Sequence, residues 1–321
     1  MSILNAIIII FGLALFEIIS SIDNAVVNAD VLGTMSPKGR RWFLVYGIFA
    51  AVFVVRGLLP LVIVWLANPS LGLVNAFTAT FSSNAAIREA VERSKPILLA
   101  GGGIYLVYLF CYWLFVEPKD YAFQLECHIH RRFSFWFYAA ASVILLAAVW
   151  AMMKIGPLVA FGAVVGSTAF FITNGFKHNA EAAECALQAK PYLSDLNKIL
   201  YLELLDATFS IDGVLGAFAF TVSVPLIILG NGLGAYVVRW FTVRGLETIK
   251  KYRYLKNGAM YSIGLLGLIM IGECLSVHLP IWTPTATTFA VVGLFFWLSH
   301  RELRTAKAEK GRDEDTEIRS A

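Results

Sequence analysis

The sequence predicts an all-α polytopic membrane protein of about nine transmembrane helices, built around two inverted three-helix repeats. Three observations lead there. Hydrophobic residues make up 58% of the 321 and charged residues only 15%, with a mean hydropathy of +0.70, whereas a soluble domain carries about a quarter charged residues. The apolar residues fall in stretches that approach the ~20 needed to cross a bilayer. Finally, one acidic pattern occurs twice: Glu17, Ser21, Ile22 and Asp23 in the first stretch match Asp206, Ser210, Ile211 and Asp212 in the sixth.

The spans are read at 3–27, 42–66, 97–116, 133–152, 156–176, 199–222, 225–243, 257–273 and 282–300. No basic region precedes the first, and acids interrupt it, so it reads as a span and not a cleaved leader. Taking the spans in turn assigns every loop to a side. Loops 36–41, 117–132, 177–198 and 242–256, with the tail from Arg301, hold 20 of the 26 Lys and Arg. The opposite side holds Arg88, Arg93, Lys95 and Lys154, while Arg56 and Arg239 fall inside spans. Basic residues favour the cytoplasm, which places the N-terminus outside and the C-terminus inside a bacterial plasma membrane. That distribution accounts for the net charge of +4 without a nucleic-acid partner.

Between the spans, residues 83–93 predict a short capped helix on the outer surface. Residues 179–187 predict an inward extension of span five. The tail from Thr305 alternates in charge and predicts a fraying helix that becomes disordered. Lys177-His178 and His278 read as interfacial loop residues. Trp42, Trp65, Trp282 and Trp297 read as an interface belt, and the glycine runs as places of close helix approach. Cys111, Cys127, Cys185 and Cys274 are scattered, without a CxxC or a histidine at ligand spacing, and read as inert thiols.

The repeat extends beyond the acids. Val54-Val55-Arg56 is echoed by Val237-Val238-Arg239, and Gly47 by Gly230. The chain divides into a first repeat (1–116), two intervening spans with a cytoplasmic loop (117–198), a second repeat (199–273), a ninth span (274–300) and a charged tail (301–321). An odd number of crossings between the copies inverts one against the other, an arrangement common among secondary transporters with midplane sites.

A carboxylate at mid-bilayer costs about 2.5–3.5 kcal/mol on insertion scales and is functional by default. Residues six apart on a regular helix differ by about 240° and ~9 Å, so Glu17 and Asp23 do not share a face. Ser20-Ser21 and Phe209-Ser210 therefore predict breaks in spans one and six. Those breaks would bring Glu17, Asp23, Asp206 and Asp212 to one site, with Asn24 and unwound carbonyls adding neutral oxygens. Ser21, Ser210 and Glu203 support the site, and Arg56 and Arg239 balance it, unless they snorkel to the surfaces. An all-oxygen donor set suits Mn²⁺, Mg²⁺ or Ca²⁺ better than zinc or copper. Four carboxylates against two arginines leave −2, which one divalent cation neutralises. Asn5, Asn28 and Asn231 read as interhelical hydrogen-bonding groups, Asp30 as solvated, and Glu273 as a solvated end residue or a gate.

These motifs resemble the TerC family of integral membrane proteins, within the lysine-exporter-like superfamily. The carriers are Glu17-x-x-x-Ser-x-Asp23-Asn24, Glu203-x-x-Asp206-x-x-Phe-Ser-x-Asp212, the two Val-Val-Arg triplets, and Tyr254-Leu-Lys-Asn-Gly258. The resemblance implies metal-ion export, manganese foremost, with links to tellurite and alkaline stress, and acids that bind or relay the ion. Gly213 departs from the family, where Ser or Asn often follows the second Asp. The expected function is thus a secondary transporter exporting a divalent cation, with lipid around it, no cofactor, and a homo-oligomer or stress-complex partner as further company. The competing reading is a membrane scaffold or assembly factor of a stress-response complex, whose acids are structural. An enzyme, or an exporter of organic cations, is the third: no nucleophile–base pairing stands out, so no enzymatic activity is expected.

Overall fold

A computed structural model describes residues 2–21, 31–47, 56–67, 72–78, 85–188, 194–244 and 251–320, and among these every regular element is helical. Helix α1 (Ile3–Ser20) begins at Ser2, whose side chain accepts the Asn5 N–H, and closes at Ser21. The short α2 (Pro37–Trp42) has Ser36 as N-cap and proline in its first turn, where a missing N–H costs nothing. A π turn follows at Phe43–Gly47. Then come α3 (Arg56–Ala67) and α4 (Gly72–Thr78). The long α5 spans Ala85–Phe115. Helix α6 (Gln124–Phe133) leads through one 3₁₀ turn into α7 (Phe137–Met152). Helices α8 (Pro157–Gln188), α9 (Asp195–Ala217), α10 (Val224–Arg244), α11 (Leu255–Cys274) and α12 (Thr283–Ser320) complete the chain.

Among the described residues, five stretches are long and apolar enough to cross a membrane: Ile3–Ser20, Glu92–Phe115, Gln124–Met152, Pro157–Lys177 and Leu255–Cys274. Arg56–Ala67 and Val224–Trp240 are shorter apolar helices. Helix α9 overlaps predicted span six and the first half of α12 predicted span nine, but neither is among those candidates. Helix α7 exposes Val143, Leu146 and Trp150, an apolar outer face that water would not favour but lipid does. Trp42, Trp282 and Trp297 are exposed, whereas Trp65 is partly buried against the apolar core.

The extension of span five is present, since α8 continues to Gln188. Two other local expectations are corrected. Residues 85–93 are the start of α5 and not a separate surface helix; alanines and an Arg93–Glu89 pair at 2.6 Å carry the helix straight into the span. The tail is helical to Ser320, since residues 301–320 are dominated by the strong helix formers Ala, Glu, Lys and Arg.

Packing sets the helices around two contacts. Helix α1 lies against α10, and α3 against both α9 and α10; α5 is held between α8 and α11. Leu13, Phe16, Ile104, Phe170, Val214 and Leu266 belong to one apolar core through these helices. Glycines allow the close approach. A Cβ on Gly103 would lie 3.1 Å from the Gly267 carbonyl oxygen, and one on Gly162 would lie 2.8 Å from the Ile97 oxygen. Gly230 meets α1 in the same way, with Leu13 Cδ1 at 2.9 Å from its would-be Cβ.

Polar contacts that no local pattern in the sequence announces tie neighbouring helix ends together. Lys256 pairs with Glu117 at 2.5 Å. Asn257 donates to the Asp120 oxygen at 2.8 Å and to Glu126 Oε2 at 3.1 Å. The Lys-Asn of the Tyr254–Gly258 segment thereby docks the 117–126 loop onto the start of α11.

Candidate functional site

The centre of the molecule is a buried charge network where α1, α3, α9 and α10 meet. Glu17 sits on the last turn of α1 and is 1% exposed. Its Oε1 accepts from the Ser21 hydroxyl at 2.7 Å, from Arg56 Nε at 2.9 Å and from Arg56 Nη2 at 2.6 Å. Arg56, the first residue of α3 and 2% exposed, also donates through Nη1 to Asp206 Oδ2 on α9 at 3.2 Å. One guanidinium fork thus joins the first acid of each motif. A planar, delocalised cation with five donors suits this bridging role better than a point charge does.

Arg239 on α10 completes the network from the other side. Its Nη2 lies 3.2 Å from Glu203 and 3.6 Å from Asp206, its Nη1 donates to the Phe43 oxygen at 3.0 Å, and its guanidinium carbon stands 4.1 Å from the Phe43 ring centre. Neither arginine snorkels to a surface: both meet Asp206, because two otherwise unbalanced carboxylates are the stronger attraction in an apolar interior. Gly47 permits this on the first-repeat side, since a Cβ there would lie 2.5 Å from Arg239 Nη1.

Glu17 is fitted closely by glycines. A Cβ on Gly234 would stand 2.6 Å from Glu17 Cβ and 2.7 Å from the Ala14 oxygen; one on Gly213 would stand 2.8 Å from Glu17 Oε2. A residue larger than glycine at position 213 would therefore press on this carboxylate. That same Oε2 is buried and, among the described residues, has no hydrogen-bond partner. Buried acceptors of this kind are few in native proteins and call for an explanation such as a water or an ion. Asn231, fully buried on α10, likewise has neither amide atom hydrogen-bonded among the described residues, so the expected interhelical bond is not made there.

The remaining acid does not join this cluster. Asp212 is six residues beyond Asp206 on an unbroken α9 and faces α5 and α8. Its Oδ1 accepts from the Tyr105 hydroxyl at 2.5 Å, and its Oδ2 accepts from the Lys177 ammonium. The Tyr105 hydroxyl also lies 2.9 Å from Thr173 Oγ1. The expected break at Phe209-Ser210 is absent because Ser210 bonds back to the Asp206 carbonyl at 2.5 Å, an i−4 bond that satisfies a hydroxyl without opening a helix. In the first repeat α1 does end at Ser20. Asp23 and Asn24, together with Asn28 and Asp30, lie outside the described residues.

Lys177, expected in a loop, is instead part of α8 and pairs with Asp212. Lys177 and Glu203 add one charge of each sign to the count of four acids and two arginines. Among the described residues no three His, Cys, Asp or Glu side chains are grouped to hold a metal ion; Glu17 and Asp206 are bridged by Arg56 instead. Glu273 pairs with Lys95 at 3.2 Å, near the C-terminal end of α11.

A family model described as "Protein of unknown function (DUF475)" matches residues 22–306, a stretch that begins after the end of α1. Over 82 residues the chain is 33% identical to the uncharacterized membrane protein YceF of Bacillus subtilis (strain 168), a stretch amounting to 26% of this chain and 32% of that protein. The chain thus spans about a third of the length of that relative. No solved structure matches. With apolar helices long enough to span a bilayer and a family match across most of its length, this chain is a membrane protein belonging to the DUF475 family.

Proposed function

We propose that the protein is a secondary transporter that exports a divalent cation, manganese foremost, through the α1–α9 contact. The observation that carries this is the unpartnered Glu17 Oε2 beside Gly213, in a network of ionised groups placed among apolar helices. Intramembrane acids that face the bundle interior mark ion pathways, and an all-oxygen donor set suits a hard cation. In the state described, Arg56 holds the acids together as a closed site. Ser21 and the segment that follows it, with Asp23 and Asn24, supply further oxygens when the cation enters.

The packing supports the inverted-repeat reading of the nine-span scheme. Gly47 and Gly230, matched in the two copies, each press on the first helix of the other copy, at Glu203 and Leu13 respectively. The resemblance to the TerC family, the cytoplasmic C-terminus and a plasma-membrane location belong to the same reading. Energy comes from ion gradients, since the sequence carries no nucleotide-binding motif.

A second reading rests on the pairing itself: Glu17, Asp206 and Glu203 are all salt-bridged, as the structural acids of a scaffold would be. Proteoliposomes loaded with Mn²⁺ separate the two. Glu17→Gln, Asp206→Asn and Asp212→Asn should each lower Mn²⁺ flux by about tenfold or more, tenfold being the lower end of the loss felt when support of a metal site is removed, while the proteins still insert and elute as folded species. Flux that stays at the wild-type level in all three, with lowered thermal midpoints, would establish the scaffold reading instead.

A further inference from the structure

The charge partner of Asp212 differs in kind from that of Glu17, and the difference has a use. Arg56 and Glu17 are sealed, with side-chain exposures of 2% and 1%, whereas Lys177 and Asp212 keep 13% and 12%. The second pair is therefore less completely enclosed than the first. An ammonium on a four-carbon stem is a mobile point charge, unlike a guanidinium fork fixed by several bonds. Asp212 is also prepared for an exchange of partners. Tyr105, itself fully buried, holds Oδ1 and is steadied by Thr173. That leaves Oδ2, the atom bound to Lys177, as the oxygen not held by Tyr105. Lys177 enters from α8, outside both repeats, where predicted span five meets the cytoplasm.

We propose that Lys177 is a tethered cation occupying the cargo's place on Asp212, which it yields when a divalent cation arrives from the cytoplasm and reclaims after the cation has left. This rests on the cation-transport reading above. It assigns Lys177 the role of a competitor: bound to Asp212 it keeps an empty site from standing as an uncompensated buried carboxylate, and it raises the concentration of cargo needed for loading. Tyr105 is the positioning residue that keeps Asp212 in place during the exchange.

The test uses the full-length protein in detergent, with Mn²⁺ as the probe and Mg²⁺ and Ca²⁺ alongside. Acetic anhydride labelling of the wild type, read at Lys177 by mass spectrometry, should rise on adding Mn²⁺, with a midpoint equal to the Kd found by calorimetry. Lys177→Met should bind Mn²⁺ about tenfold more tightly, as when a competing state of some 90% population is removed, whereas Lys177→Arg should not. Should Mn²⁺ bind the wild type while Lys177 labelling stays unchanged, Lys177 is a structural partner and the proposal is overturned, with the transport reading left standing. Binding by Lys177→Met within twofold of wild type would overturn it equally. If Lys177→Met does not fold, the labelling of the wild type decides. If none of the three cations binds the wild type and flux is insensitive to the motif acids, the transport reading falls and this proposal falls with it.

Discussion

Replacing Arg56 with methionine is expected to lower the thermal midpoint of the detergent-solubilised protein further than loss of any exposed ion pair. Methionine keeps most of the stem's volume and removes only the cation. What remains are Glu17 and Asp206, 1% and 5% exposed, without the guanidinium that had bridged them at 2.6 and 3.2 Å. Stripping one partner from a buried pair costs about 3–5 kcal/mol, because a charge is left in low dielectric. Arg239, at 3.6 Å from Asp206, softens the loss at that acid, so most of the cost falls on Glu17, whose remaining side-chain partner among the described residues is the Ser21 hydroxyl. The double variant Arg56→Met with Glu17→Gln should then recover most of the stability, since removing both members of a buried pair is often near neutral. Melting curves for wild type, both single variants and the double variant form a cycle whose coupling energy isolates the pair. A single variant that melts like wild type would place Arg56 in contact with water, and the network with it.

The parts of this arrangement that repeat along the chain were legible in the sequence; the parts made by distant segments meeting were not. Apolar runs announce membrane helices because hydropathy is a local property. The duplicated acids announced a shared centre, and the Val-Val-Arg triplets their counter-ions. Glu17, Asp206 and both arginines do meet. Nothing local, however, distinguishes Tyr105 from the other aromatics of its helix or Lys177 from a cytoplasmic loop lysine. Their roles come from Asp212, 107 and 35 residues away. The expectation that α9 would break at Ser210 failed for a definite reason. A serine hydroxyl has two ways to satisfy itself in an apolar interior, opening the backbone or bonding back one turn, and the sequence does not say which. The fitting of Glu17 by Gly213 and Gly234 was equally hidden, since a glycine's missing side chain shows its purpose only when its neighbour is known.

Glycine also sets the second large effect, at the contact of α5 with α8. A Cβ on Gly166 would lie 2.7 Å from the Gly101 carbonyl carbon and 2.8 Å from its Cα, and closer still to the Gly101 oxygen. All three are backbone atoms, so no rotamer change relieves the overlap and the helices must separate. Gly175, nine residues further along α8, has nothing within 4 Å of its Cβ position. On propensity alone both Gly→Ala changes should stabilise a helix by up to about 1 kcal/mol. Gly175→Ala is therefore expected to melt at or slightly above the wild-type midpoint. Gly166→Ala should lose at least the ~1–3 kcal/mol typical of an overpacked core, and more if the separation is shared along the contact, where Gly162 already meets the Ile97 oxygen. The consequence extends to the site, because α5 carries Tyr105 and α8 carries Lys177. Forcing these helices apart should draw both partners away from Asp212, so Gly166→Ala should alter Lys177 labelling although it contacts neither residue. If the two alanine variants melt alike, the helices do not pack backbone to backbone here, and the geometry around Asp212 loses its support.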